Sequence, residues 1–147
     1  MNVRMNKAAS GFTLMEMIIT IVIIGVMTAF ALPNYFKALE HQKERDAAVQ
    51  LQTLHAAAAL YHAQNRRVYP AGILSVSAVN SIFNTNITPD AGSTFEYNGA
   101  AGGGTYTAVF RWTTGGVGKT ARINQDSLAS NNPCCLTGNC LSLPDCP

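Results

Sequence analysis

The hydrophobic pattern changes period twice along this chain. Phe12 to Leu32, FTLMEMIITIVIIGVMTAFAL, is an almost unbroken apolar run interrupted by one charge, Glu16. At roughly 1.5 Å per residue this helix spans about 31 Å, close to a bilayer hydrocarbon core of about 30 Å. The polar stretch before it, MNVRMNKAASG, carries Arg4 and Lys7 and no acid. That asymmetry predicts a cytoplasmic N-terminus with the rest of the chain facing outward. Pro33 follows the run; a long helix accommodates it by losing one backbone bond and bending. Residues 34–66 then read as continuous helix. Phe36, Lys43, Ala47, Leu51, Leu54, Ala58 and Tyr61 recur at three, four or seven residues, an amphipathic stripe. Lys43 interrupts its first half, while the second half is apolar, so the helix is expected to protrude first and pack on a sheet later. Glu40 and Lys43, three apart, are expected to pair on its exposed side. From Phe12 to Arg66 the helix would be about 80 Å long.

Beyond residue 66 the period shortens to two. Arg67 to Ser93 holds Pro70, Gly72, Pro89 and Gly92 and reads as a connecting loop with one short helix around Leu74 to Phe83. Three strands follow: Thr94–Asn98, Thr105–Thr113 and Lys119–Asn124. The second alternates cleanly, with Tyr106, Ala108, Phe110 and Trp112 on one side. The third sets Ala121 and Ile123 against Thr120 and Arg122. Glycine-containing connections at 99–104 and 114–118 suit hairpins. The product is a small antiparallel sheet of three or four strands with one aromatic face, which needs a cover. The stripe from Leu51 to Tyr61 can supply it, making the fold α+β. Trp112 and the tyrosines are then core, not a stacking platform for a ligand.

Composition narrows the function. At 147 residues there is room for one modest domain. Charged residues are 12% of the chain and the net charge is +2, so no dense basic patch exists for a polyanion. The sequence contains no G-x-S-x-G elbow, H-E-x-x-H pair or phosphate loop, and a non-catalytic protein is expected. His55 and His62 share a helix face, but neither they nor His41 has the spacing of a metal site. Asp90, Glu96, Asp126 and Asp145 lack the spacing of a calcium loop. Asn86-Ile87-Thr88 is a chance-level glycosylation triplet. No cofactor and no metal is expected.

The four cysteines, Cys134, Cys135, Cys140 and Cys146, lie within the last fourteen residues. An even count outside the cytoplasm implies disulfides. Adjacent cysteines rarely bridge each other. Cys134 and Cys135 should therefore each pair with Cys140 or Cys146, in either arrangement. A four-thiolate zinc knot is disfavoured, because the spacing lacks two C-x2-4-C knuckles. The tail itself is expected to have little regular structure.

The run Lys7-Ala-Ala-Ser-Gly11-Phe12-Thr13-Leu14-Met15-Glu16 resembles the class III leader of type IV prepilins and type II secretion pseudopilins. A cleaved secretory signal fits less well, since the apolar run is too long and no A-x-A site follows. An ordinary membrane anchor leaves Glu16 without a reason. The resemblance implies a pilin-like fold in which a long kinked helix packs on the sheet. It implies that a membrane-embedded aspartyl peptidase removes residues 1–11, cutting between Gly11 and Phe12, and methylates the new amine of Phe12. Cleavage removes Arg4 and Lys7 and leaves eight bases against eight acids. Residues 12–33 would form the transmembrane and filament-core part of the helix, 34–66 its amphipathic part, and 67–147 a head with a cysteine-rich tail.

In this family the helices of many copies bundle into a filament. Phe12, Glu16 and Pro33 are then assembly residues, with Glu16 facing the Phe12 amine of a neighbouring copy. A carboxylate in an apolar helix marks a functional site. The ion pair would set register more than stability. The partners implied are further copies of the chain, the prepilin peptidase, an inner-membrane assembly platform, minor pilins or pseudopilins, and the bilayer that stores the subunit. The implied location is the bacterial inner membrane before assembly and an extracellular or periplasmic filament afterwards. The leading expectation is a pilus-like filament subunit for adhesion, twitching motility or DNA uptake. The major pseudopilin of a type II secretion system is the alternative. That family usually continues its tyrosine-proline with a Thr-Thr-Glu-Gln-Gly-like segment, whereas Ala71-Gly72-Ile73 follows Tyr69-Pro70 here. A membrane-anchored binding module that never polymerises is the outside reading. Pilins commonly close the region after the sheet with one wide disulfide loop; this compact four-cysteine tail departs from that pattern.

Overall fold

The computed structural model describes residues 11–126 and 132–147. Helix α1 covers Leu14–Gln64 and includes Pro33. Its start is chemically defined. Thr13 Oγ1 accepts the Glu16 N–H at 3.2 Å, and Glu16 Oε2 accepts the Thr13 N–H at 3.1 Å. This reciprocal capping box satisfies donors that an open helix end would leave bare. Further along, Thr20 and Thr28 return their hydroxyls to the carbonyls of Met17 and Ile24. Both polar groups are thereby paired within the apolar run, a requirement in hydrocarbon.

The chain divides after Ala38 into two compact units. In the first, every described residue is solvent-exposed, Phe12 and Phe30 by about three quarters of their surface. Among the described residues α1 is the one helix long and apolar enough to cross a membrane.

The second unit is built on a five-stranded antiparallel sheet in chain order: β1 (Gly72–Leu74), β2 (Thr94–Gly99), β3 (Tyr106–Thr114), β4 (Val117–Asn124) and β5 (Cys134–Thr137). A short helix α2, Val76–Phe83, lies between β1 and β2. The Ser75 side chain caps its start and left-handed Asn84 ends it. On α1 the residues facing the sheet are Glu44, Ala47, Leu51, Leu54 and Ala58, a strict three–four repeat. They meet a continuous core that includes Val79, Phe83, Tyr97, Tyr106, Phe110, Trp112 and Ile123. Registry places Phe95 opposite Phe110 and Phe110 opposite Ala121, so aromatic and small side chains alternate across the inner face.

This is the α+β, pilin-like class expected, with five strands instead of three or four. Two strands were not legible. β1 has three residues set among Pro70, Gly72 and exposed Ile73, too short for any alternation. β5 reads Cys-Cys-Leu-Thr, again without alternation, and it exists because β4 offers an edge. The tail is thus more regular than expected. Residue Cys135 even bridges in parallel to Asp145, placing the C-terminal stretch along β5. The β3–β4 hairpin is also tighter than read. Only Gly115 and Gly116 turn the chain, at φ 59° and 80°. Both angles suit glycine and a turn that follows the strand twist. The short helix expected around Leu74–Phe83 is α2.

The expected Glu40–Lys43 pair is not formed. Glu40 instead pairs with Lys119 on β4, and the Lys43 ammonium donates to the Thr113 carbonyl at 3.4 Å. The stripe that buries starts from Glu44, not Lys43. From Ala47 onward the stripe is as expected; Glu40, one turn before Glu44, lies on the same side and meets Lys119.

Candidate functional site

Two places in the chain hold chemistry. The first is the start of α1. Gly11 and Phe12 immediately precede the helix and are exposed. Glu16 sits in the first turn, where the helix's positive end favours a carboxylate. Its Oε2 accepts both the backbone N–H and the hydroxyl of Thr13, each at 3.1 Å. Phe12, Thr13 and Glu16 are therefore gathered within one turn, while Pro33 lies far along the same helix. Thr13 was not singled out from the sequence. The signal was there: Thr13-x-x-Glu16 is the capping-box spacing.

The second place is the contact between α1 and the far edge of the sheet. Glu44 is fully buried and accepts four contacts. The Leu141 N–H lies 2.9 Å from Oε1 and 3.0 Å from Oε2, the Ser142 N–H 3.0 Å from Oε2, and the Lys119 ammonium 3.1 Å from Oε1. Lys119, 4% exposed, also pairs with Glu40 and donates to the Asn139 carbonyl at 3.0 Å. Burial by itself lowers the pKa of this ammonium. The hydrogen bonds to Glu40 and Glu44 and the charges of both carboxylates outweigh that effect, so it is raised above its ordinary value. None of these three residues was picked out as a site from sequence. An acid in phase with Ala47 and Leu51, and a lysine in phase with Ala121 and Ile123, was the available sign of a buried pair.

Around the opposite end of the core the tyrosines close on one another. Tyr97 stacks on Tyr106 with ring centres 5.5 Å apart, and Tyr69 packs against Tyr106 at 4.8 Å with its ring tilted by 60°. Burial, then neighbouring charge, holds the phenols of Tyr69, Tyr97 and Tyr106 above the usual tyrosine range. The histidines do not converge. His41 meets Ser142, His55 meets the Tyr106 hydroxyl at 2.7 Å, and His62 stacks on Tyr69. Among the described residues no group of three or more metal-ligating side chains comes together.

The four cysteines are brought together as two bridges, Cys134–Cys146 and Cys135–Cys140, with Cα separations of 4.9 and 6.0 Å. Consecutive residues of a strand point to opposite faces. Cys134 and Cys135 therefore leave β5 in different directions and take different partners.

With this geometry in view, the comparisons with known proteins bear on the first site. The family described as the prokaryotic N-terminal methylation motif matches residues 6–32. The type IV major pilin protein PilA of Myxococcus xanthus strain DK1622 is 34% identical over 64 residues, 44% of this chain and 29% of that protein. The match thus spans less than a third of the relative's length. No solved structure matches the chain.

Proposed function

We propose that this chain, which carries the N-methylation motif of type IV pilins at its N-terminus, is the structural, non-catalytic subunit of a type IV pilus-like filament. The observation that carries the reading is the exposed apolar helix from Leu14 to Ala38 with its single carboxylate held at the first turn. So large an apolar surface demands a cover. Lipid supplies it while the subunit is stored in the inner membrane, and neighbouring helices supply it in the filament. A side chain such as Leu, Ile or Phe gains about 1.5–3 kcal/mol when it leaves water.

The sequence of events follows from the same residues. The prepilin peptidase cuts between Gly11 and Phe12 and methylates the new amine. The inner-membrane platform lifts the subunit out of the bilayer, and the helices bundle while the heads coat the outside. Until then the Glu16 carboxylate is satisfied by its own Thr13. In the bundle it gains the positive Phe12 amine of a neighbour. Such a pair selects an axial register, because a carboxylate left unpaired in an apolar bundle is strongly disfavoured. Pro33 removes one backbone bond from the helix and gives it a place to bend during packing.

Mass spectrometry of the native chain and electron microscopy of surface fibres test this together. The mature protein should begin at Phe12, carry one N-methyl group, and be found in fibres that Glu16→Ala abolishes. A chain that keeps residues 1–11, or fibres indifferent to Glu16→Ala, would overturn it.

A further inference from the structure

The loop after β5 is tied to α1 in a way that goes beyond filament assembly and stands on the second unit alone. The Cys135–Cys140 bridge closes residues 135–140 into a small ring. Directly after it, Leu141 and Ser142 aim both backbone N–H groups at the Glu44 carboxylate, at 2.9–3.0 Å. Inside the ring, the Asn139 carbonyl accepts from Lys119, and beyond it Ser142 Oγ lies 3.0 Å from His41 Nδ1. The stretch 139–142 therefore straps across α1 at His41 and Glu44.

Glu44 has no exposed surface. A buried carboxylate is tolerable only when charge-paired and fully hydrogen-bonded. Lys119 supplies the charge, but two of its donors come from the strap. Opening the ring returns conformational freedom to the strap, and ordering those two amides then has to be repaid in entropy. Glu44 next to Ala47 and Leu51, both fully buried, reaches water only if this part of α1 lifts from the sheet.

We propose that the Cys135–Cys140 bridge is a redox-operated latch: closed, it presents the amides that hold residues 40–47 of α1 on the sheet; opened by a dithiol reductant, it frees that segment. The step balances. The dithiol delivers two electrons and two protons, the S–S bond becomes two thiols, and the reductant closes to its own disulfide; a disulfide-bearing oxidant reverses it. The second bridge serves elsewhere. Cys134–Cys146 holds the C-terminal stretch against β5, where the Cys135 N–H donates to the Pro144 carbonyl and the Cys146 N–H to that of Cys135. It provides an internal control.

Hydrogen–deuterium exchange on the full chain in detergent micelles reads the latch. The double substitution C135S/C140S should speed exchange at residues 40–51 by about ten-fold while β2 and β3 keep their protection, and C134S/C146S should leave that helix segment unchanged. Unchanged rates in C135S/C140S, or equal loosening by both variants, would overturn the proposal. A redox titration covers the case in which C135S/C140S does not fold. Linkage is reciprocal, so a latch that the bridge stabilises must stabilise the bridge. In a dithiothreitol buffer series read by alkylation and mass spectrometry, Glu44→Gln should make Cys135–Cys140 about ten-fold easier to reduce, with Cys134–Cys146 unaffected. Equal midpoints for native chain and Glu44→Gln would refute it.

Discussion

Lys119 shows how much one residue's surroundings decide. On β4 it is a charged residue in phase with the inward Ala121 and Ile123, and it ends between two carboxylates and a carbonyl. Removing it strands Glu44 without a cation in the interior. Lys119→Ala should therefore lower stability by about 3–5 kcal/mol, measured by urea unfolding of the full chain in detergent. Arg111→Ala breaks a pair with Glu96 in which both side chains are over 40% exposed. It should change stability by less than about 1 kcal/mol in the same assay. Comparable losses from the two would mean that burial of the Lys119 cluster has been misjudged.

The same residue sets an alkaline limit. Lys119 and the three phenols of Tyr69, Tyr97 and Tyr106 all have raised pKa values in the folded chain. The folded state then keeps protons that the unfolded chain gives up, so unfolding becomes easier with rising pH. Their contribution is fully present below pH about 10 and falls away above it. Midpoints of urea unfolding collected from pH 8 to 11.5 should be flat and then drop beyond about pH 10. A midpoint that climbs across that range would contradict the assignment.

At the scale of elements, the hairpin between β2 and β3 holds the turn that follows α1. The Tyr69 N–H donates to the Gly103 carbonyl at 2.8 Å. A Cβ on Gly103 would lie 2.1 Å from Val68 Cγ1 and 2.8 Å from the Tyr69 carbonyl oxygen, at a φ of +71°. Gly103→Ala is thus both crowded and strained and should destabilise by about 1–3 kcal/mol. Gly104, one residue on, has open space and no positive φ. Gly104→Ala should be nearly neutral by thermal unfolding, and equal effects would argue against this contact. The helices and long strands were readable because their periodicity is written in side chains: Leu51, Leu54 and Ala58 on α1, Tyr106 to Trp112 on β3. β1 and β5 were not, because their few residues carry no period and depend on the ladder beside them. The Glu40–Lys43 reading failed for a related reason. Spacing of three permits a pair on a helix surface, but Lys119 arriving from β4 offers Glu40 a partner in a drier setting.

For the whole molecule, the two units differ in what completes them. The second has its own core, two bridges and a buried aromatic interior. A chain of residues 39–147 should therefore stay in the soluble fraction without detergent and unfold cooperatively, as sedimentation and circular dichroism would record. Among the described residues of the first unit none is buried, and the full chain should sediment with membranes. A fragment 39–147 that aggregates on its own would show that its core depends on the apolar part of α1.

Sequence alone determined the parts whose physics is local or cumulative: a span-length apolar run, one carboxylate at its start, and alternating aromatic strands. Each announces itself within a few turns or a few residues of chain. Tertiary structure alone decided where unlike segments meet. It set which cysteine joins which, seated Glu40 and Glu44 on Lys119, and laid the Leu141 and Ser142 amides over Glu44. Those partners are separated by five to almost a hundred residues, and what brings them together is the packing of α1 on the sheet, a property of surfaces that no short stretch of sequence contains.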